Sequence, residues 1–140
     1  MEAGNAIKEG ILRVSNANII VKPLADGGEG TVDTLIEGLG CKKIYVDVTG
    51  PLNQRVTAYY GYQEKSNTAI IEMASASGIT LIKPDERNPM IATTYGVGEM
   101  IKHAAKNGCR HFIVAIGGSA TNDGGIGMLQ ALGYEFFGID

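Results

Sequence analysis

Cysteine is scarce in this chain. The two residues, Cys41 and Cys109, are too few for a disulfide scaffold and too far apart in sequence for a CxxC site. Each follows a glycine and precedes a β-like run, a setting that predicts buried thiols. The two histidines, His103 and His111, lack the local pairing with cysteine or histidine seen at zinc sites. Long apolar runs are missing too. The longest, Phe112 to Ile116, is far short of the roughly 20 residues a membrane-spanning helix requires. The opening Met1-Glu2-Ala3-Gly4-Asn5 has neither the basic nor the apolar region of a secretory signal. Charged residues make up 19% of the chain, below the usual share of about 25%. Twelve basic against fifteen acidic residues leave a net charge of −3, which argues against a nucleic-acid or anionic-membrane binder. A local anion pocket is still compatible with that balance. The expectation is a soluble, cytoplasmic protein.

Glycine, by contrast, is abundant. It supplies 20 of the 140 residues, about twice the usual share. Because glycine costs folding entropy, such an excess points to unusual backbone angles or to close backbone approach. Apolar residues, at 44%, suffice for a core, and the length suits one domain.

Helical and strand patterns alternate along the chain. Ala3, Ile7, Ile11 and Val14 recur at helical spacing, predicting an amphipathic helix over residues 2–14. Residues 17–22 read as a short buried strand closed by Pro23. Val32, Leu35, Ile36 and Leu39 mark a second helix, stopped by Gly38 and Gly40. Residues 44–49, 56–62 and 68–73 are rich in β-branched and aromatic residues and are separated by turn signals. They predict an antiparallel meander. Residues 77–90 have little period and hold two of the four prolines, as a loop does. Val97, Met100, Ile101, Ala104 and Ala105 form the clearest helical stripe, with Thr93 or Thr94 as N-cap and Gly108 as stop. Phe112 to Ile116 then reads as a central parallel strand covered on both faces. A helix carrying Met128, Leu129 and Leu132 follows, and residues 134–137 read as the start of another strand. The fold class is therefore α/β: helices layered on a mixed, mainly parallel sheet with an antiparallel meander.

Two loops follow strands and precede helices, where open α/β sheets bind ligands. In the first, Asp26-Gly27-Gly28-Glu29-Gly30-Thr31, Asp26 and Glu29 have the spacing of a capping box, which needs no ligand. Such a box leaves the three glycines unexplained. The second runs from Gly117 to Gly127 and holds five glycines with Ser119, Thr121, Asn122 and Asp123. Small residues let backbone N–H groups approach an anion, and the dipole of the following helix favours phosphate there. Neither a GxxxxGK[ST] loop nor GxGxxG spacing is present, which disfavours a dinucleotide oxidoreductase. Glu72 ends an apolar strand, an odd place for a carboxylate unless it is solvated, paired or used. Arg87, in an aperiodic loop, is either a solvated surface residue or a fork for a carboxylate or phosphate.

Six strings carry a resemblance: PLADGGEGTVDTL (Pro23 to Leu35), VTGPL (Val48 to Leu52), IEMASASG (Ile71 to Gly78), ERNPM and ATTYGVGE (within Glu86 to Glu99), and IGGSATNDGGIGMLQALG (Ile116 to Gly133). In this order, over almost the whole chain, they resemble bacterial glycerate kinases. The resemblance implies ATP-dependent and Mg²⁺-dependent phosphorylation of D-glycerate, commonly to 2-phosphoglycerate, by two α/β domains. It also implies that residues 1–140 form a single incomplete α/β domain of a longer kinase. The family's opening strand and its loop resembling APDSFKGS have no counterpart here, and the family continues well past Asp140. These 140 residues alone are accordingly expected to be inactive. Gly117, Gly118, Ser119, Thr121 and Asn122, with Gly27, Gly28 and Glu29, are the expected contacts for a phosphate or the glycerate carboxylate. Asp123 and Asp26 are candidates for base or Mg²⁺ work, since Mg²⁺ prefers hard oxygen ligands. Glu72 and Arg87 are candidates for the substrate pocket. The rival class is a non-catalytic small-anion-binding module or an inactive remnant of an enzyme.

Overall fold

The computed structural model describes residues 2–138. Helices α1 (Glu2–Leu12) and α2 (Thr31–Leu39) precede the strands β1 (Lys42–Thr49), β2 (Arg55–Gln63) and β3 (Thr68–Glu72). Helices α3 (Ala74–Ser77) and α4 (Tyr95–Lys106), strand β4 (His111–Ala115) and helix α5 (Ile126–Leu132) follow. The strands form one mixed sheet in the order β1-β2-β3-β4. The first three pair antiparallel, as their turn signals predict. β4 joins β3 in parallel, with Thr68 opposite His111 and Glu72 opposite Ala115.

Alternation along β3 decides what lies on each face. Ala69 and Ile71 join Val97, Met100 and Ala104 of α4 in one buried cluster with Val48, Ala58 and Tyr60. Ile70, also fully buried, lies on the opposite face, beside α2. A Cβ on Gly61 would stand 2.9 Å from Ile36 Cγ1, so that glycine is what lets α2 lie close to β2. Burial of an isoleucine contributes about 1.5–3 kcal/mol, and β3 places one on each face.

Several sequence expectations change here. Residues 17–22 are in no ladder among the described residues, and Ile20 is exposed. The stretch has a strand's composition, but its backbone lacks a neighbouring strand to receive it. Residues 134–137 are likewise irregular, with Phe137 exposed. β4 is a sheet edge among the described residues rather than a central strand, and Phe112, Ile113 and Val114 are each more than a third exposed. Helix α1 forms, yet Ile7 and Ile11 of its apolar stripe are exposed because no element covers them among the described residues. Helix α2 passes through Gly38 and stops at Gly40, whose φ of 63° suits glycine. The loop after Ser77 contains two 3₁₀ turns, Ile79–Leu81 and Pro84–Glu86. Cys109 is buried as expected, whereas Cys41 is only partly so.

Candidate functional site

Because β3 and β4 run parallel, their carboxyl ends open on the same edge, and both glycine loops meet there. Gly117 N–H donates to the Gly27 carbonyl at 2.7 Å. A Cβ on Gly117 would lie 2.6 Å from Gly28 N and 2.8 Å from Gly27 C, so only glycine permits the contact. The IEMASASG segment supports the second loop from below. Met73 N–H donates to the Ala115 carbonyl, Ile79 N–H to that of Gly118 and Ala120 N–H to that of Ser77, each at 2.9 Å. The Ser77 hydroxyl, fully buried with its residue, donates to the Thr93 carbonyl at 3.1 Å.

The capping box that the spacing of Asp26 and Glu29 would allow does not form in the first loop. The N-cap of α2 is Gly30, with φ 85° and no side-chain bond. Asp26 Oδ1 accepts from Gly28 N–H at 2.9 Å, and Glu29 Oε1 accepts from the Thr80 hydroxyl at 2.6 Å. The carboxylate at the head of α2 comes from 40 residues away: Glu72 Oε2 accepts from Val32 N–H at 3.2 Å. Only 4% of Glu72 is exposed, and this contact accounts for a carboxylate at the end of an apolar strand. Burial pushes the Glu72 carboxyl above the ordinary glutamate value, against the downward pull of the Val32, Gly30 and Thr31 amides. In the pH window between those two values the native state holds a proton that the unfolded chain has released, so stability falls as pH rises. Glu72→Gln does not titrate and should abolish that fall. Urea unfolding of parent and variant across the acid range tests this: a stability difference that stays constant with pH would rule out the raised carboxyl.

Asp123 serves the second loop in a similar way. Its Oδ2 accepts from Thr94 N–H and the Thr94 hydroxyl, both at 2.8 Å, and from Gly127 N–H at 3.1 Å. Its Oδ1 accepts from Gly125 N–H at 3.0 Å. Burial alone would raise this carboxyl, but the donors from Thr94, Gly125 and Gly127 outweigh it and hold Asp123 below the ordinary aspartate value. Thr94 is at the N-cap of α4 as expected, yet its side chain makes no cap bond to α4. Its hydroxyl instead accepts from Met128 N–H of α5 at 2.9 Å. The heads of α2 and α5, the anion sites the sequence suggested, are thus already met by groups from the same chain.

Two openings flank the contact between the loops. One, of about 490 Å³, lies between Met73, Val97 and Met128 on its apolar side and Thr94, Thr121, Asn122 and Asp123 on its polar side. The other, of about 330 Å³, is lined by Asp26, Glu29, Thr31, Asp33 and Glu37 among others. Ser119 and Thr121 bond each other through their hydroxyls at 2.9 Å and are partly or fully open to solvent. Arg87 follows the second 3₁₀ turn, is exposed and lines neither opening. Sequence reasoning missed Thr94 as a partner of the second loop. It also missed Glu99, whose Oε2 accepts from Thr49 N–H at 2.6 Å. Gly96 was the available signal for this region: a Cβ there would collide with the Thr49 carbonyl.

No group of three or more His, Cys, Asp or Glu residues among the described residues could hold a metal by itself. Mg²⁺ that arrives on a nucleotide needs only one or two protein carboxylates. Asp26 fits that requirement, since its Oδ2 takes no protein donor among the described residues. Asp123 fits it poorly, with four donors already in place.

An α/β chain with glycine loops gathered at the carboxyl ends of parallel strands has the architecture of a small-molecule site. The chain belongs to the glycerate kinase family, whose profile matches residues 1–140. It is 50% identical over 136 residues to the glycerate kinase of Haemophilus influenzae, covering 96% of this chain and 36% of that protein. It is 44% identical over 133 residues to the glycerate 2-kinase of Escherichia coli, covering 94% of this chain and 35% of the relative. A crystal structure of a Salmonella typhimurium LT2 protein assigned as glycerate kinase 2 superposes with a TM-score of 0.76 at 48% identity, over 92% of this chain and 35% of that one. The chain therefore spans about a third of the length of the relatives it matches.

Proposed function

We propose that the protein carrying this chain transfers the γ-phosphoryl group of ATP to D-glycerate, at the 2-hydroxyl in preference. The observation that carries the reading is the 2.7 Å bond between Gly117 and Gly27, which joins two family motifs at the open end of a parallel strand pair. Activity belongs to the full-length protein, of which these residues are one incomplete α/β domain, rather than to the 140 residues alone. No helix among the described residues is long and apolar enough to cross a membrane.

In the reaction, a bond forms between the glycerate hydroxyl oxygen and the γ-phosphorus as the bond to the bridging oxygen of ADP breaks. Mg²⁺, when bound, neutralises phosphate charge. Asp26 takes the hydroxyl proton or lends one oxygen to the metal. Ser119, Thr121, Asn122 and the backbone of Gly117 and Gly118 hold the phosphates or the glycerate carboxylate, with Gly27, Gly28 and Glu29 shaping the facing wall. Glu72 and Asp123 keep the two loops in register. The test is a coupled assay for ADP with the full-length protein, ATP, Mg²⁺ and D-glycerate, with the product position assigned by phosphorus NMR. ADP release that depends on glycerate and yields the 2-phosphate is expected. ADP release that ignores glycerate would refute the assignment.

A further inference from the structure

Building on the phosphoryl-transfer reading above, we infer that Thr94 is a positioning residue that sets the second glycine loop from the head of α4. Its hydroxyl makes two bonds, donating to Asp123 Oδ2 at 2.8 Å and accepting from Met128 N–H at 2.9 Å. It acts as the cap of α5 from a different helix, over 34 residues of sequence. The residue is only 6% exposed, so water does not replace either bond readily.

The segment behind Thr94 is bonded on several sides. Thr93 N–H donates to the Pro51 carbonyl at 2.9 Å, and the Thr93 carbonyl accepts from the Ser77 hydroxyl at 3.1 Å. Glu99 on α4 holds Thr49 N–H, and Gly96 lies directly against the Thr49 carbonyl. The β1–β2 turn and α3 thus fix the segment 93–96, and Thr94 is where that segment reaches the loop. Thr121, Asn122 and Asp123 line the same opening as Thr94, so a shift of the hydroxyl moves the polar wall of the opening. Errors of about 1 Å in the placement of reacting groups lower rates by roughly a hundredfold.

The experiment compares Thr94→Val and Thr94→Ser with the parent in the full-length enzyme. It records kcat, KM for ATP and glycerate, and thermal unfolding on each preparation. Valine keeps the shape and removes both hydroxyl bonds, whereas serine keeps both. The expected result is a kcat at least about tenfold lower for Val at temperatures where it is folded, with Ser within about threefold of the parent. A Val variant that only unfolds earlier, with parental kcat and KM, would reduce Thr94 to a structural cap and overturn the inference. Should Val fail to fold, Ser still decides, because a serine enzyme losing tenfold in kcat shows that the hydroxyl is not the operative group. A parent without glycerate-dependent turnover overturns the phosphoryl-transfer reading and this inference together. An active parent with an unaffected Val variant overturns the inference alone.

Discussion

Asp26→Asn in the full-length enzyme is expected to lower turnover by roughly a hundredfold or more, the usual scale for losing a positioned acid–base group. Stability should stay within about 0.5 kcal/mol of the parent, as for surface changes that break no buried contact. Asn at this position still offers Oδ1 to Gly28 N–H, so the local turn survives while the charge is lost. Asp123→Asn should show the opposite balance. An amide can keep the three donors at Oδ2 by placing its oxygen there, but its NH₂ then faces Gly125 N–H. One part-buried bond is lost and two donors are opposed, for a stability loss of about 1–3 kcal/mol. The depressed Asp123 carboxyl stabilises the native state above the ordinary aspartate value, and that contribution disappears as pH falls through its native value. The variant's deficit should therefore be full at neutral pH and shrink in acid. Thermal unfolding and glycerate-dependent ADP release on the same preparations separate the two roles. If Asp123→Asn retained parental stability yet lost turnover by roughly a hundredfold while Asp26→Asn turned over like the parent, the assignment of base or metal work would have to pass from Asp26 to Asp123.

Gly117→Ala is expected to disrupt the contact between the two loops directly. The added carbon would stand 2.6 to 2.8 Å from Gly28 N, Gly28 Cα and Gly27 C, all of them backbone atoms. A flexible side chain could swing away, but a backbone has to move as a segment, and the loops would part where Gly117 now donates to Gly27. Overpacking of this kind costs about 1–3 kcal/mol. The displaced loop should lower turnover by roughly a hundredfold or more. Gly38→Ala is the matched control. It is within α2 with nothing near its Cβ position, and should gain up to about 1 kcal/mol from helix propensity. Equal turnover in the two variants would mean that the contact between the loops is dispensable for catalysis.

Local chemistry made much of the architecture readable. The meander was legible because β-branched and aromatic runs alternate with turn residues, and α4 because Val97, Met100 and Ala104 recur on one helical face. The close backbone approach of the two glycine loops was legible because so much glycine is costly unless backbones must approach, and Gly117 meets Gly27 in just that way. Strand character was overestimated in residues 17–22 and 134–137, where apolar composition signals burial but says nothing about a partner for the ladder.

The role of each carboxylate was not readable, because it depends on donors far away in sequence. Asp26 and Glu29 have capping-box spacing, yet the head of α2 is met by Glu72 across 40 residues. Asp123, at the head of its own helix, is fixed by Thr94 from another. The sequence by itself determined which residues are small, charged or apolar, and so where loops, helices and strands could form and which family the chain resembles. Only the tertiary structure decided that Glu72 and Asp123 are committed to donors distant in sequence, while Asp26 keeps one oxygen without a protein donor among the described residues. A hydrogen bond depends on distance and direction in space, and periodicity along the chain encodes neither for groups 30 or 40 residues apart.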